Sequence, residues 1–187
     1  MIASTQSLLS ERLWSDFFPE KQKHGLINID KDGDDMFYWL FPSRQDPDKD
    51  PLVIWLTGGP GCSSELALFV ENGPMRVENG KPVLNEHSWN NKANLLYVDQ
   101  PIGTGYSKGS IFNMPKNEEK VSQQFGIFLK KFFEEYPELA KRDLYVTGES
   151  YAGHYIPYIA DYIQTQSDFK DINLKGVAIG NGWVTPL

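Results

Sequence analysis

One stretch decides the fold: Tyr145-Val146-Thr147-Gly148-Glu149-Ser150-Tyr151-Ala152-Gly153. It is typical of an apolar strand that runs through a Gly-x-Ser-x-small turn into a helix. Such an elbow holds its serine at a strained turn, where the hydroxyl is exposed and can act as a nucleophile. Gly148 and Ala152 must be small because the strand and helix backbones approach closely there, and the helix N-terminus can stabilise a developing anion. Ser150 is therefore the candidate nucleophile, in preference to a serine that only caps a helix.

A second glycine-rich segment lies upstream: Trp55-Leu56-Thr57-Gly58-Gly59-Pro60-Gly61-Cys62-Ser63-Ser64. It follows another apolar run, residues 52–56, which predicts a strand buried on both faces. A glycine-rich loop lets a second backbone N–H approach a reacting carbonyl group closely. In enzymes with a nucleophile elbow, such a loop supplies one of the two oxyanion-hole amides. The sequence therefore predicts a two-part oxyanion hole beside Ser150.

These segments, together with further blocks in the same order, resemble the serine carboxypeptidase family, which has the α/β-hydrolase fold. The resemblance runs from about His24 to the C-terminus, and separate blocks in one order argue against chance agreement. The blocks are Phe37-Tyr38-Trp39, Glu71-Asn72-Gly73-Pro74, Ser88-Trp89-Asn90, Val98-Asp99-Gln100-Pro101-Ile102-Gly103-Thr104-Gly105-Tyr106-Ser107, Tyr155-Ile156-Pro157 and Gly180-Asn181-Gly182.

The resemblance implies how a peptide is held. The backbone N–H groups of Gly59 and Tyr151 would form the oxyanion hole. Four positions would recognise the free C-terminal carboxylate of a peptide: Trp55, Gly58, Glu71 and Glu149. Two carboxyl groups that converge on one site repel each other, so one should have a raised pKa and donate its proton to the substrate in mild acid. We therefore expect an acidic pH optimum, whereas without the resemblance Glu71 would be interpreted as an exposed helix residue.

Thr57 is a departure from the family pattern, because relatives usually carry Asn at this position. The resemblance implies that the Asn amide donates to the substrate carboxylate. A threonine hydroxyl is shorter and offers a single donor. We expect a weakened preference for free C-termini, not its loss.

No histidine of the chain is a good candidate for the general base. In this fold the triad acid and histidine follow the nucleophile along the chain, whereas His24 and His87 precede it. His154 lies four residues after Ser150 on the elbow helix, where it matches a non-catalytic histidine of the family. We expect the orienting Asp and the base His to lie beyond Leu187. The 187 residues alone should then be nearly inactive, since loss of the base lowers kcat by orders of magnitude.

The function that the resemblance implies is a serine-type carboxypeptidase, which releases C-terminal residues from peptides or proteins through an acyl-enzyme. Two alternatives remain open at this point. Relatives include acyltransferases that use the same serine, and a truncated chain without Asp and His could be a non-catalytic pseudoenzyme. Relatives work in vacuoles, lysosomes or outside the cell, although residues 1–10 show no signal peptide.

Composition excludes several other classes. A net charge of −7 without a run of Lys and Arg argues against nucleic-acid binding. No apolar run approaches the roughly 20 residues of a membrane span. We predict no metal and no cofactor, because metal-ligand spacings and a phosphate-loop motif are missing. Cys62 is the one cysteine. It is either a small buried side chain in a turn or, as the resemblance implies, the partner of a cysteine far downstream.

Periodicity predicts an α/β chain, the incomplete N-terminal part of an α/β-hydrolase over residues 1–187. The sheet should be mixed and mostly parallel with flanking helices and an antiparallel N-terminal portion. Residues 1–23 should form a weakly structured or helical extension, with a short helix over 7–18. Strands are predicted at 26–29, 36–41, 52–56, 75–77, 82–84, 94–98, 144–147 and 177–179, and helices at 117–136 and 153–166.

Overall fold

The computed structural model describes residues 20–30 and 32–185. The predicted helix over 7–18 lies outside these residues. In chain order the strands and helices are β1 (Lys23–Asn28), β2 (Asp35–Phe41), β3 (Leu52–Leu56), α1 (Glu65–Val70), β4 (Met75–Glu78), β5 (Lys81–Leu84), β6 (Asn94–Val98), α2 (Glu118–Glu135), β7 (Asp143–Glu149), α3 (Ala152–Thr165) and β8 (Asn173–Gly180). Short 3-10 turns lie at Trp89–Asn91, Leu139–Lys141 and Ser167–Phe169.

Six strands form one sheet in the order β1-β2-β6-β3-β7-β8. Strands β6, β3, β7 and β8 run parallel to their neighbours, whereas β1 and β2 pair antiparallel and β2 joins β6 antiparallel. This arrangement confirms the predicted mixed, mostly parallel α/β-hydrolase sheet with an antiparallel N-terminal portion. The register pairs Leu56 with Gly148 at the ends of β3 and β7. The glycine-rich loop and the serine elbow therefore leave the sheet side by side.

The core lies on both faces of this sheet. The larger cluster packs α2 and α3 against the sheet, and three aromatic side chains of α2 are fully buried in it: Phe125, Phe128 and Phe132. Asn117 caps α2, since its side chain accepts the Lys120 N–H at 2.9 Å. The smaller cluster holds Trp55 and Tyr97 against α1 on the other face. Both clusters therefore support the strand ends that carry the site.

Several local features differ from the prediction. Helix α1 was not predicted, because six residues are too short to show helical periodicity. Helix α3 begins at Ala152, one residue before the predicted start at 153, and Pro157 lies in its second turn. Residue Glu20, within the predicted extension, forms an ion pair with Arg44 at 2.8 Å and accepts a bond from the Asn90 amide at 2.9 Å.

Over the part of the chain described, no helix is both long and apolar enough to span a bilayer.

Candidate active site

Ser150 occupies the turn between β7 and α3. Its φ of 56° lies in the left-handed region, which is uncommon for residues other than glycine and marks a constrained position. Two backbone hydrogen bonds hold it there. The Ser150 N–H donates to the Gly180 carbonyl at 3.0 Å, and the Trp183 N–H donates to the Ser150 carbonyl at 2.8 Å. The residue itself is exposed, so the elbow presents the serine hydroxyl to solvent.

The elbow requires glycine at position 148. A Cβ on Gly148 would lie 2.1 Å from the Leu56 carbonyl oxygen and 2.9 Å from the Ala152 Cβ. Both are closer than real Cβ contacts, and the carbonyl belongs to the neighbouring strand of the ladder. One residue earlier, the Thr147 hydroxyl donates to the Ile54 carbonyl at 2.8 Å. Strands β3 and β7 are thus fixed against each other up to the turn.

The glycine-rich loop packs its backbone directly on the elbow. A Cβ on Gly58 would lie 2.4 Å from the Tyr151 amide nitrogen and 2.8 Å from the Glu149 carbonyl oxygen. Gly59 follows with a φ of 110°, which side chains rarely tolerate. The two segments that would supply oxyanion-hole amides are therefore in backbone-to-backbone contact. This proximity is compatible with the pairing of Gly59 and Tyr151 that the resemblance implies.

Helix α3 reaches back to hold the same loop. The Gly61 N–H donates to the Tyr155 hydroxyl at 3.2 Å, and the Cys62 N–H closes a turn on the Gly58 carbonyl at 3.1 Å. Tyr155 is 1% exposed, and burial raises the pKa of its phenol, so the group stays neutral. Cys62 is exposed, so the interpretation as a buried turn residue is wrong. The loop turns its thiol outward because its backbone carries the contacts.

The side chain of Tyr151 is anchored on its far side. Its hydroxyl donates to Glu118 Oε1 at 3.0 Å, and burial followed by this carboxylate raises the pKa of Tyr151. The ring of His154 stacks on the Tyr151 ring with centroids 4.7 Å apart, and Trp183 contacts both rings. His154 is thus part of an aromatic cluster that fixes Tyr151. His24 lies on β1 at the opposite edge of the sheet, and His87 lies in the turn after β5.

Two carboxyl groups meet beside the elbow. Glu71 follows α1 and Glu149 ends β7. Burial raises the pKa of Glu71, and the facing carboxylate of Glu149 raises it further. A protonated Glu71 can share its hydrogen with Glu149 or donate it to an anionic ligand. Next to Glu71, the Tyr97 hydroxyl donates to Asn72 Oδ1 at 2.8 Å, which ties the end of α1 to the sheet.

Trp55 and Thr57 hydrogen-bond to each other at the end of β3. The Trp55 indole N–H donates to the Thr57 hydroxyl oxygen at 3.1 Å. The Thr57 backbone N–H donates to the Ser64 hydroxyl oxygen at 3.2 Å, and that hydroxyl donates to the Val98 carbonyl at 2.7 Å. Because the threonine oxygen already accepts from Trp55, its own hydrogen remains free to donate. Thr57 can therefore offer one donor to a ligand.

The structure places all the predicted site residues at the end of two adjacent strands and the segments that follow them. Sequence reasoning missed the residues that support them. Ser64 and Asp99 lay within quoted blocks, and their polarity among buried neighbours was a usable signal. Tyr155 also lay within a quoted block, but neither its role nor that of Glu118 was visible, because each acts through a contact far along the chain: Gly61 with Tyr155 and Tyr151 with Glu118.

The arrangement can support attack by a serine on a carbonyl group. An exposed serine, two converging backbone segments and a carboxyl pair in which one pKa is raised are parts from which an acyl-transfer site can be built. Backbone donors fixed before the reaction stabilise a developing oxyanion without reorganisation.

We predict that Gly58→Ala destabilises the protein by about 2 kcal/mol or more, because the new methyl group overlaps backbone atoms of Tyr151 and Glu149 that cannot move independently. The matched control is Gly176→Ala in β8, where a Cβ would make only ordinary contacts with the Tyr145 ring at 3.7 Å. Urea unfolding of both variants measures the difference. Equal stability of the two variants would contradict the close packing of loop and elbow.

Comparisons with known proteins identify relatives of this chain. Serine carboxypeptidase-like 48 of Arabidopsis thaliana is 53% identical over 156 residues, which are 81% of this chain and 30% of that protein. Carboxypeptidase Y of Komagataella phaffii is 45% identical over 168 residues, 89% of this chain and 32% of that protein. The chain thus spans about a third of the length of these relatives.

Solved structures give the same result. The prohormone-processing carboxypeptidase Kex1(delta)p of Saccharomyces cerevisiae matches with a TM-score of 0.76 and 36% identity, over 88% of this chain and 39% of that one. Vibralactone cyclase, at 13% identity and a TM-score of 0.56, shares the fold alone. The family model described as serine carboxypeptidase matches residues 14–187. The chain therefore belongs to the serine carboxypeptidase family.

Proposed function

We propose that the chain carries the nucleophile and the carboxylate-recognition site of a serine carboxypeptidase, which removes C-terminal residues from peptides in mild acid. The observation that carries the proposal is the Glu71 and Glu149 carboxyl pair beside the Ser150 elbow. A nucleophile elbow alone suits many hydrolases. A protonated carboxyl group beside the elbow can bind the free carboxylate of a substrate. The scissile bond of such a substrate would lie one residue from that carboxylate.

In the proposed reaction, the Ser150 oxygen attacks the carbonyl of the last peptide bond. The N–H groups of Gly59 and Tyr151 donate to the oxyanion, the C-terminal residue leaves as an amine, and water then hydrolyses the acyl-enzyme. Because His154 is held against the Tyr151 ring, we assign it no proton transfer. The general base and its orienting carboxylate are proposed to come from a longer protein. This agrees with the coverage of the relatives, because the chain spans about a third of their length.

The substrate carboxylate is proposed to lie between Glu71 and Thr57. Neutral Glu71 donates one hydrogen bond, the Thr57 hydroxyl a second and the Gly58 backbone a third, while Trp55 forms the wall. An acidic compartment, vacuolar or lysosomal, or an acidic extracellular space would keep Glu71 protonated and so fits the same chemistry.

Reaction of the native protein with a fluorophosphonate tests the nucleophile. We expect one adduct, located by peptide mass spectrometry on Ser150, and none in Ser150→Ala. Native protein that hydrolyses an activated ester while Ser150 stays unmodified would contradict the assignment.

Adding an acceptor alcohol separates the enzymatic alternatives, because transfer of the acyl group in preference to hydrolysis would indicate an acyltransferase. A native protein with neither ester turnover nor labelling would indicate a pseudoenzyme.

We predict that Thr57→Asn lowers KM for a blocked dipeptide with a free C-terminus several-fold. The amide can accept from the Trp55 indole and donate to the substrate, and one added hydrogen bond contributes about 1 kcal/mol. Thr57→Val is the matched control, since it keeps the shape and removes the donor, and should raise KM. If neither substitution changes KM, Thr57 does not contact the substrate carboxylate.

Glu71→Gln should flatten the dependence of substrate affinity on pH. The folded-state pKa of Glu71 is raised, so its donor is present at low pH and is lost as pH rises through that pKa, about tenfold in affinity per pH unit beyond it. A glutamine amide donates at every pH. KM measured across the pH range should therefore rise with pH in the native protein and much less in the variant; parallel profiles would assign the pH dependence to another group.

A further inference from the structure

A second pair of carboxyl groups lies beneath the glycine-rich loop. Glu65 is the first residue of α1, and Asp99 follows β6. Asp99 is 0% exposed and Glu65 is 7% exposed. Asp99 Oδ1 accepts the Ser64 N–H at 2.9 Å, and Oδ2 accepts the Tyr106 N–H at 2.8 Å. The Ser63 hydroxyl hydrogen-bonds to Glu65 Oε2.

The remaining oxygen of Glu65 has no hydrogen-bond partner among the described residues, which favours a bound proton. Oε1 is buried and receives no hydrogen bond from any described residue. A buried carboxylate oxygen without a donor is costly, and the facing carboxylate of Asp99 increases that cost. A proton on Oε1 removes both penalties because it turns the oxygen into a donor toward Asp99. The two N–H groups on Asp99 need oxygens without a proton, so the proton belongs on Glu65.

The electrostatics agree with this assignment. Burial, then Asp99, raises the pKa of Glu65 to about 8. On the β6 side, the charged group that faces Glu65 is Asp99. The Ser63 hydroxyl contacts Glu65, and backbone amides contact Asp99. The chain wraps Asp99 closely on its other side, since a Cβ on Gly105 would lie 2.0 Å from Asp99 Oδ2. This packing leaves no room for a side chain at position 105.

The pair is connected to the oxyanion loop through Ser64. Asp99 holds the Ser64 amide, and the Ser64 hydroxyl oxygen accepts the Thr57 N–H at 3.2 Å while donating to the Val98 carbonyl at 2.7 Å. Thr57 directly precedes Gly58 and Gly59. Both ends of the loop from Thr57 to Ser64 are thus fixed by contacts that begin at Asp99.

We propose that Glu65 and Asp99 share one proton that fixes the loop from Thr57 to Ser64, and that loss of this proton at alkaline pH loosens the loop. Glu65 is thereby a positioning residue for the oxyanion amides and makes their order dependent on pH. This goes beyond the proposed carboxypeptidase activity, and its test requires no catalysis.

The sign of the effect on stability follows from the raised pKa. The folded protein keeps a proton on Glu65 up to about pH 8, whereas the unfolded chain loses it near the ordinary value of 4.5. The stabilisation from this proton is therefore complete below pH 4.5, declines as pH rises toward 8 and is absent above it.

The test compares Glu65→Gln with the wild type. We expect the Tm of the wild type to fall between about pH 5 and pH 8 and that of Glu65→Gln to fall distinctly less, because the amide donates to Asp99 at every pH. Glu78→Gln, at an exposed glutamate of β4, is the matched control and should keep the wild-type slope. Amide exchange of Thr57 and Ser64, corrected for intrinsic rates, should lose up to about tenfold protection per unit as pH rises toward 8, with no further loss above it, in the wild type only.

Direct titration keeps the proposal testable if the variant does not fold. The side-chain carboxyl carbon of Glu65, followed by NMR in the unmodified protein, should titrate near pH 8. A midpoint near the ordinary glutamate value, or the same pH slope in Glu65→Gln and Glu78→Gln, would overturn the shared proton.

Discussion

The contact between the backbone of Gly58 and the amide of Tyr151 is the constraint on which the site depends. At this point a side chain of any size would occupy the space of main-chain atoms, since even a methyl group would reach 2.4 Å from the Tyr151 nitrogen. The contact exists because β3 and β7 are hydrogen-bonded neighbours whose ends are in register. It converts two loops that are distant in sequence into one surface of backbone donors. The left-handed turn at Ser150 then places a hydroxyl on the edge of that surface.

Helix α1 is six residues long and has a proton-dependent contact at each end. At its start, Glu65 faces the buried Asp99, and just after its end Glu71 faces Glu149. In both pairs a raised pKa keeps one carboxyl group protonated into a range where an isolated glutamate would be ionised. We propose that the first pair orders the loop and that the second binds the anionic end of a substrate. A site organised in this way is most complete in acid, which agrees with the acidic optimum that we propose.

Sequence reasoning predicted the sheet and the nucleophile because both leave strong local signals. Buried parallel strands are short apolar runs, and a serine between Gly148 and Ala152 after such a run has few structural explanations. Helix α1 gave no such signal, because six residues are too short to show helical periodicity. Cys62 is exposed although its neighbours suggested burial. A turn that is held by its backbone can point its side chain outward, and sequence does not show which atoms carry the contacts.

The supporting residues of the site could not be predicted from the sequence, for a different reason. The bond from Tyr151 to Glu118 and the bond from Gly61 to Tyr155 join positions that only the fold brings together. Glu65 was visible as a charge among apolar residues. Its role depends on Asp99, which approaches it from another strand.

Cleavage of one peptide in two forms is the most direct test of the central claim that a free C-terminus is recognised beside Ser150. The native protein is incubated in mild acid with a blocked dipeptide that has a free carboxylate and with its C-terminal amide, and released amino acid is measured for both. The account predicts release from the free acid at a rate at least tenfold above the amide, a difference of about 1.4 kcal/mol, and none with Ser150→Ala. Equal rates on both forms in a protein labelled at Ser150 would contradict it, because the nucleophile would then act without recognition of the carboxylate.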